Sequence, residues 1–424
     1  MRFGERAWLF FLPLLFLPDL GFRRPTTFGT LALGDYLIFP YIVLLLFAKS
    51  QACPRYSKGL RYVLVAFLVW ALLGAVTINL RYDYGFDYSA INFSLLKIAK
   101  LVLYGLAGIL TMERVKSSSG RREFHWSLLG VIAVMAVSII MGPPKGQVDI
   151  SLMSYLAVNP VAVTVAFMVS YCSGLLLHGY GSRYWRWAAT VTLMLGLAGI
   201  FMSQTRGAWL AMISAVPYVM WRSGLRRRTI AFVAGFLILA CANYILFPRF
   251  QEKLDFTVNP ELRYQTGETS SVAGIDEGGR FVTWLAEAPE FADAPVFGAG
   301  FFHRGGLSPL WFTGSHNFFL QMFLETGFVG GILILLVFGR MWLDAGSRAA
   351  QQARLTTPLR AALIAAVVGG MSGEYFYGGV PVLALFLLYA PTGALLKMRR
   401  ASVVPHVGEM ARRPLVEKRL AWTR

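Results

Sequence analysis

Apolar residues run along this chain in long unbroken blocks, neither alternating with polar ones nor confined to one helical stripe. The blocks fall at 7–21, 36–48, 61–79, 92–112, 124–142, 152–178, 185–202, 207–221, 229–246, 317–339, 359–377 and 380–396. A helix of roughly 20 mostly apolar residues crosses the ~30 Å hydrocarbon layer of a bilayer. Inside lipid every backbone amide must pair within the chain, which leaves only helices or a closed barrel. Barrel strands alternate polar and apolar positions, and these blocks do not. The pattern predicts an all-α polytopic membrane protein of about 12 transmembrane helices. The block at 36–48 is short, and its helix is expected to begin earlier. The first block follows Arg2 and Arg6, as a signal peptide would, but only Pro18-Asp19 comes after it where a small-residue cleavage site would stand. It is therefore expected to remain as the first span.

The polar remainder is unevenly distributed. The domain organisation reads as helices one to nine over 1–246, a large loop over 247–316 that bears the active site, helices ten to twelve over 317–396, and a basic tail over 397–424. Within the loop, Thr266 to Gly279 is rich in Gly, Ser and acidic residues and reads as irregular. Arg280 to Ala288 predicts a short amphipathic helix, suited to lying on a membrane surface, and Phe297-Gly298-Ala299-Gly300-Phe301 is turn material.

Composition agrees with this pattern. Hydrophobic residues make up 56% of the 424 and charged residues only 15%, far from a soluble domain. The net charge of +18 would suggest nucleic acid if it were spread evenly. Instead the Lys and Arg cluster at alternate loops: Lys49, Arg55, Lys58 and Arg61; Arg114, Lys116, Arg121 and Arg122; Arg222 with Arg226, Arg227 and Arg228; Arg340, Arg348, Arg354 and Arg360; and the tail. That is the positive-inside asymmetry, which predicts both termini on the cytoplasmic side and the large loop outside. No nucleic-acid partner is needed to explain it. In the loop the acidic residues outnumber Arg249, Lys253, Arg263, Arg280 and Arg304. Cys53, Cys172 and Cys241 fall in an inner loop or in spans, so no disulfide framework is expected.

A few polar residues stand where chemistry could occur. Ser203-Gln204-Thr205-Arg206-Gly207 is a very short turn between two spans, which holds Arg206 at the bilayer surface. Arg206 fits two readings: an interfacial arginine reaching lipid phosphate, or an anion clamp whose forked donors match phosphate oxygens. Arg280, close to Trp284, allows a clamp or a surface pair with Asp276 or Glu277. His316-Asn317 opens the tenth span; a histidine there can serve as general base or as a structural interfacial group. Glu325, nine residues into that span, is ionisable in lipid and so a functional suspect, with a buried structural partner as the alternative. Lys97 and Lys100, a turn apart in the outer part of the fourth span, share that status. Their roles, like those of Glu325, His303 and Arg304, cannot be read from the sequence. Glu374-Tyr375 is a weaker candidate. There is no Asp-x-Asp handle for a metal-bound nucleotide sugar, no phosphate-binding Gly-rich Lys-Ser/Thr loop and no His-Glu-x-x-His, so neither a nucleotide nor a zinc site is expected.

These motifs, taken together, resemble the O-antigen ligase family: the Thr205-Arg206-Gly207 turn, Gly279-Arg280 with Trp284, and His316-Asn317 followed after nine residues by Gly327 and then Gly330. The layout, with one large loop between the ninth and tenth spans, is similar too. The resemblance implies transfer of O-antigen polysaccharide from undecaprenyl diphosphate to a lipid A-core sugar, at the periplasmic face of the Gram-negative inner membrane, with no metal or other cofactor. It implies that Arg206 and Arg280 clamp the donor diphosphate and that His316 accepts the proton of the attacking hydroxyl, with Asn317, Glu325 and Trp284 as supporting residues. A single displacement of this kind inverts the anomeric centre. O-antigen polymerases share this superfamily and form the alternative reading. Protein O-oligosaccharyltransferases share it as well but usually carry a further soluble domain, for which the tail 397–424 is too short. In a different class, a transporter of lipid-linked oligosaccharides would also be polytopic. Such proteins often show related halves and spans broken at the midplane, and neither is visible in this sequence.

Overall fold

The computed structural model describes residues 7–16, 24–26, 29–31, 33–47, 56–81, 88–141, 158–203, 205–246, 291–292, 294–298, 317–373 and 379–402. In order, these form α1 (Ala7–Leu14), β1 (Arg24–Thr26), β2 (Gly29–Leu31), α2 (Leu33–Phe47), α3 (Lys58–Arg81), α4 (Tyr88–Arg114), α5 (Ser118–Met141), α6 (Val158–Leu177), α7 (Arg183–Met202), α8 (Arg206–Arg222), α9 (Arg226–Leu246), α10 (Phe318–Ala345), the short α11 (Arg348–Gln352), α12 (Thr356–Met371) and α13 (Gly379–Ser402). Among the described residues, six helices are long and apolar enough to cross a membrane: α3, α4, α5, α6, α7 and α10. Shorter apolar helices occupy Tyr36–Leu46, Thr356–Met371 and Val380–Leu396.

Each apolar block contains a helix, and the boundaries shift where local chemistry demands it. The second helix begins at Leu33, earlier than its apolar block, as expected. The described part of the first is shorter than its block, with Pro13 inside its last turn. α12 stops at Met371 instead of continuing to 377, because Ser372 turns its hydroxyl back to donate to the Gly369 carbonyl and closes the end. Among the described residues, a small antiparallel ladder departs from helix, pairing Arg24 with Leu31 and Thr26 with Gly29. Pro25 and Gly29 are poor helix residues, so this connection pairs with itself instead.

Apolar side chains cover both the inside and the outside of the bundle. On α5, Phe124, Leu128, Val131, Ile132 and Met135 are buried, whereas Trp126, Val137 and Met141 face outward. Val191, Met194, Leu237, Ile238, Leu335 and Leu336 are exposed on other helices. An apolar surface on this scale is stable only in lipid. Lipid tails supply no hydrophobic driving force between helices, so close fit must hold them together. A Cβ at Gly199 of α7 would lie 3.1 Å from Cα of Ala136 on α5, and one at Gly174 of α6 would lie 2.7 Å from Cα of Pro358 on α12. α6 is the most enclosed span, packed by α5, α7, α8, α12 and α13.

Buried hydrogen bonds add register. Tyr41 of α2 meets Thr111 of α4 at 2.9 Å, and Ser127 of α5 donates to the Leu9 carbonyl of α1 at 2.7 Å. At one end of the bundle, the buried Asp344 carboxylate accepts hydrogen bonds from Ser57 and Tyr389, both at 2.6 Å, and pairs with Arg340 at 3.0 Å. Burying a carboxyl group is costly unless its oxygens are hydrogen-bonded or paired, and these are.

Candidate functional site

Among the described residues of the turn between α7 and α8, Arg206 is exposed and its neighbours are buried. Ser203 closes α7: its N–H donates to the Gly199 carbonyl at 2.9 Å and its hydroxyl to the Ile200 carbonyl at 2.6 Å. The same hydroxyl accepts the Thr205 N–H at 3.1 Å. Thr205, in extended conformation, is the N-cap of α8, and its carbonyl accepts from Ala208 and Trp209. The Trp209 indole donates back to the Ile200 carbonyl at 3.2 Å and stacks on Phe201 at 5.5 Å. Ser203, Thr205 and Gly207 are buried, whereas Arg206, the first residue of α8, is exposed. A helix start carries partial positive charge and favours anions. Arg206 thus adds a positive side chain to the first turn of α8.

The start of α10 is equally constrained. Asn317 is its N-cap, accepting the N–H groups of Phe319 at 3.0 Å and Leu320 at 3.2 Å through Oδ1. Its backbone carbonyl accepts from Gln321 at 2.9 Å. Asn317 thus sets where α10 begins.

Nine residues on, α10 breaks. Gly327 has φ 66° and ψ −173°, a conformation essentially confined to glycine. This corrects the expectation that no span is interrupted. The groups released by the break find partners in other parts of the chain. The Thr326 carbonyl accepts the Trp70 indole N–H of α3 at 2.8 Å, and the Phe328 N–H donates to the Pro295 carbonyl at 2.7 Å. Pro295 belongs to a tight loop, 294–298, in which the Gly298 N–H donates to the Ala294 carbonyl at 2.8 Å and Gly298 has φ 71°. Phe297 stacks face to face on Trp70, with centroids 4.7 Å apart. The break is a clasp that fastens the loop to α10.

Glu325 lies beneath this clasp, 3% exposed, and accepts a hydrogen bond from the equally buried Gln321 at 2.6 Å. Lys97 and Lys100 line an apolar cavity of about 340 Å³ that also takes in Phe318 and Met322 of α10. Arg280, Trp284, His303, Arg304, His316 and Glu374-Tyr375 lie outside the described residues. The structure therefore places Asn317, Glu325, Gly327 and Gly330 on one helix and Arg206 on another, at the first position of α8. Sequence reasoning missed Trp70, Gln321, Thr326 and Gly298. The Gly327 spacing was the signal that something close-packed lay there, whereas nothing local marks Trp70 as its partner.

Helices with an apolar exterior and polar residues held at their ends define a multi-pass helical membrane protein. Residues 191–335 match the family model described as O-antigen ligase, Wzy_C, so the resemblance read from the motifs holds over that stretch. The matched segment contains Arg206, Arg280, Trp284, His316, Asn317, Glu325, Gly327 and Gly330. This family supports activity of the O-antigen ligase or polymerase type, that is, glycosyl transfer. No curated protein matches the chain.

Proposed function

We propose that this chain is an O-antigen ligase that joins O-antigen polysaccharide, carried on undecaprenyl diphosphate, to a lipid A-core sugar. The observation that carries the proposal is the placement of exposed Arg206 as the first residue of α8, after a turn closed by Ser203 and Thr205, within the matched segment. In the reaction, a hydroxyl oxygen of the acceptor bonds to the anomeric carbon of the donor as the bond from that carbon to the diphosphate oxygen breaks. The electron pair leaves on undecaprenyl diphosphate, and the hydroxyl proton passes to the imidazole of His316. Arg206 and Arg280 stabilise the negative charge growing on the departing oxygen, the place where fixed donors lower a barrier most. Two arginines take the part a divalent cation plays elsewhere. Asn317 sets the base in place, and Trp284 follows four residues after Arg280. Twelve spans, with both termini inside and the 247–316 loop in the periplasm of a Gram-negative inner membrane, complete the reading.

The broken span favours a second reading, a transporter of lipid-linked oligosaccharides, because such proteins place substrate at interrupted helices. Here the break is filled by the chain's own loop and by Trp70, which supports a structural clasp instead. The test is transfer by purified protein in detergent, with undecaprenyl diphosphate-linked polysaccharide, lipid A-core and chelator present. Polysaccharide on lipid A-core supports the ligase. Lengthening of the donor's own chains would make this a polymerase. Donor movement across reconstituted bilayers with no joining would make it a transporter.

A further inference from the structure

α6, α8 and α12 pack on one another. At one end of this trio, the far end of α8 from Arg206, groups from three separate elements come together. His178 follows the last residue of α6, Arg222 is the last residue of α8, and Arg354 stands two residues ahead of α12. The Arg354 guanidinium donates to the His178 carbonyl at 3.0 Å. Burial, and after it the charges of Arg354 and Arg222, push the His178 imidazole below the usual histidine range, so it stays neutral at pH 7. Its Nε2 is buried and has no hydrogen-bond partner among the described residues. The same holds for the hydroxyl of Ser223, next to Arg222. The elements that supply these groups carry no acidic residue: 150–251 and 345–373 contain neither Asp nor Glu. Asp344, the acid nearest to Arg354 in the sequence, is already held by Arg340, Ser57 and Tyr389.

We infer that His178, Arg222 and Arg354 bind a phosphate group, carried on an anionic lipid or free in solution. Like charges gathered without a carboxylate repel one another, and a bound anion removes that repulsion. Two guanidiniums and an imidazole N–H offer several donors to the several oxygens of a phosphate. A buried donor left without an acceptor costs free energy, which a phosphate oxygen at Nε2 recovers. Cations near the ends of α6 and α8 also complement the partial negative charge there. That accounts for the arginines but leaves the buried Nε2 unexplained, whereas an anion accounts for both. The surroundings suit a lipid headgroup. Arg226 lies over the Trp221 ring at 4.8 Å, and Trp221 is 56% exposed, as an indole at a membrane interface is.

The experiment measures binding to the purified full-length protein by native mass spectrometry, with phosphatidylglycerol, phosphatidylcholine and inorganic phosphate as probes. Phosphatidylglycerol should be retained about tenfold or more over phosphatidylcholine, and Arg222→Gln should lower that preference about fivefold. His178→Phe keeps a ring and removes the donor, and should lower it as well. Arg222→Lys should restore part of what Arg222→Gln loses, which a misfolded variant would not. Arg183 and Arg186 are exposed at the same end of the bundle, so Arg183→Gln with Arg186→Gln is the control and should leave the preference unchanged. If inorganic phosphate displaces the lipid, the site stands and its ligand is the free ion; if the lipid stays, the site stands and its ligand is the headgroup. Absence of both the lipid preference and phosphate binding overturns the inference. An equal loss in the Arg183 and Arg186 control also overturns it, by reducing the effect to the general charge of this end. Binding is read without sugar transfer, so the result is independent of the ligase reading.

Discussion

Gly298 and Gly327 meet backbone to backbone: a Cβ on Gly298 would lie 2.4 Å from the Gly327 nitrogen, and one on Gly327 would lie 2.1 Å from the Val296 carbonyl oxygen. Both residues have positive φ. Strain and contact therefore point the same way at both positions. The pair joins a loop segment to a broken span that begins at Asn317, the residue after the proposed base.

Gly327→Ala is expected to be severe. The backbone conformation alone costs about 1–3 kcal/mol for a residue with a Cβ, before the clash with Val296 is added. Thermal unfolding in detergent should show a clear loss, and polysaccharide transfer should fall further than stability. Gly330→Ala should also destabilise, because its Cβ would lie 2.3 Å from Cβ of Thr326, which side-chain rotation cannot move, and 3.1 Å from the Trp70 ring.

Asn317 offers a clean separation of capping from chemistry. Asn317→Ala should cost about 0.5–2 kcal/mol of helix stability, whereas Ser or Asp should retain most of it. If transfer rates follow the same order as capping strength, Asn317 acts by placement. Equal inactivity of Ala, Ser and Asp would mean that the amide itself touches substrate.

Trp70 combines a donor and a stacking face. Trp70→Phe removes the N–H to the Thr326 carbonyl and preserves most of the stack on Phe297, for an expected loss of about 1 kcal/mol. Trp70→Ala removes both and should cost about 3–5 kcal/mol. Limited proteolysis should then cut the 247–316 loop faster in the Ala variant than in the Phe variant.

For the proposed clamp, Arg206→Ala should lower turnover by about a hundredfold or more, the scale for losing a donor aimed at developing charge. Arg206→Lys should recover only part, because an ammonium cannot grip two oxygens in one plane. Full activity in the Lys variant would dispose of the forked geometry. His316→Ala should abolish transfer without altering the elution profile or the unfolding temperature; near-normal transfer would remove His316 as base.

At the opposite end of the bundle, Tyr389→Phe withdraws one donor from buried Asp344. The expected stability loss is about 1.5–3 kcal/mol, the range for a hydrogen bond to a charged group. Transfer measured well below the unfolding temperature should be unchanged, which makes this variant the control for stability effects alone.

Much of the architecture was legible in the amino-acid order. Apolar blocks of spanning length dictate helices because lipid leaves backbone amides no other partner, and the existence of each helix followed from that alone. The short turn at Arg206 and the spacing from Asn317 to Gly327 were visible for the same reason: tight geometry restricts residue type locally. What the glycine does was not visible, because the atoms that forbid a side chain there belong to Val296, distant in sequence. Trp70 is farther still from Thr326, and no pattern within α3 distinguishes it from the other apolar residues around it. Glu325 read as a suspect in lipid, and its partner Gln321, one turn earlier on the same helix, follows from helical spacing alone. Lys97 and Lys100 read as ionisable groups in a span, and only packing showed that they line a cavity with residues of α3, α10 and α13. Periodicity and turn chemistry are properties of neighbours along the chain, and they determined the helices. Which helix meets which loop depends on surfaces remote in sequence, and only the tertiary structure decided that.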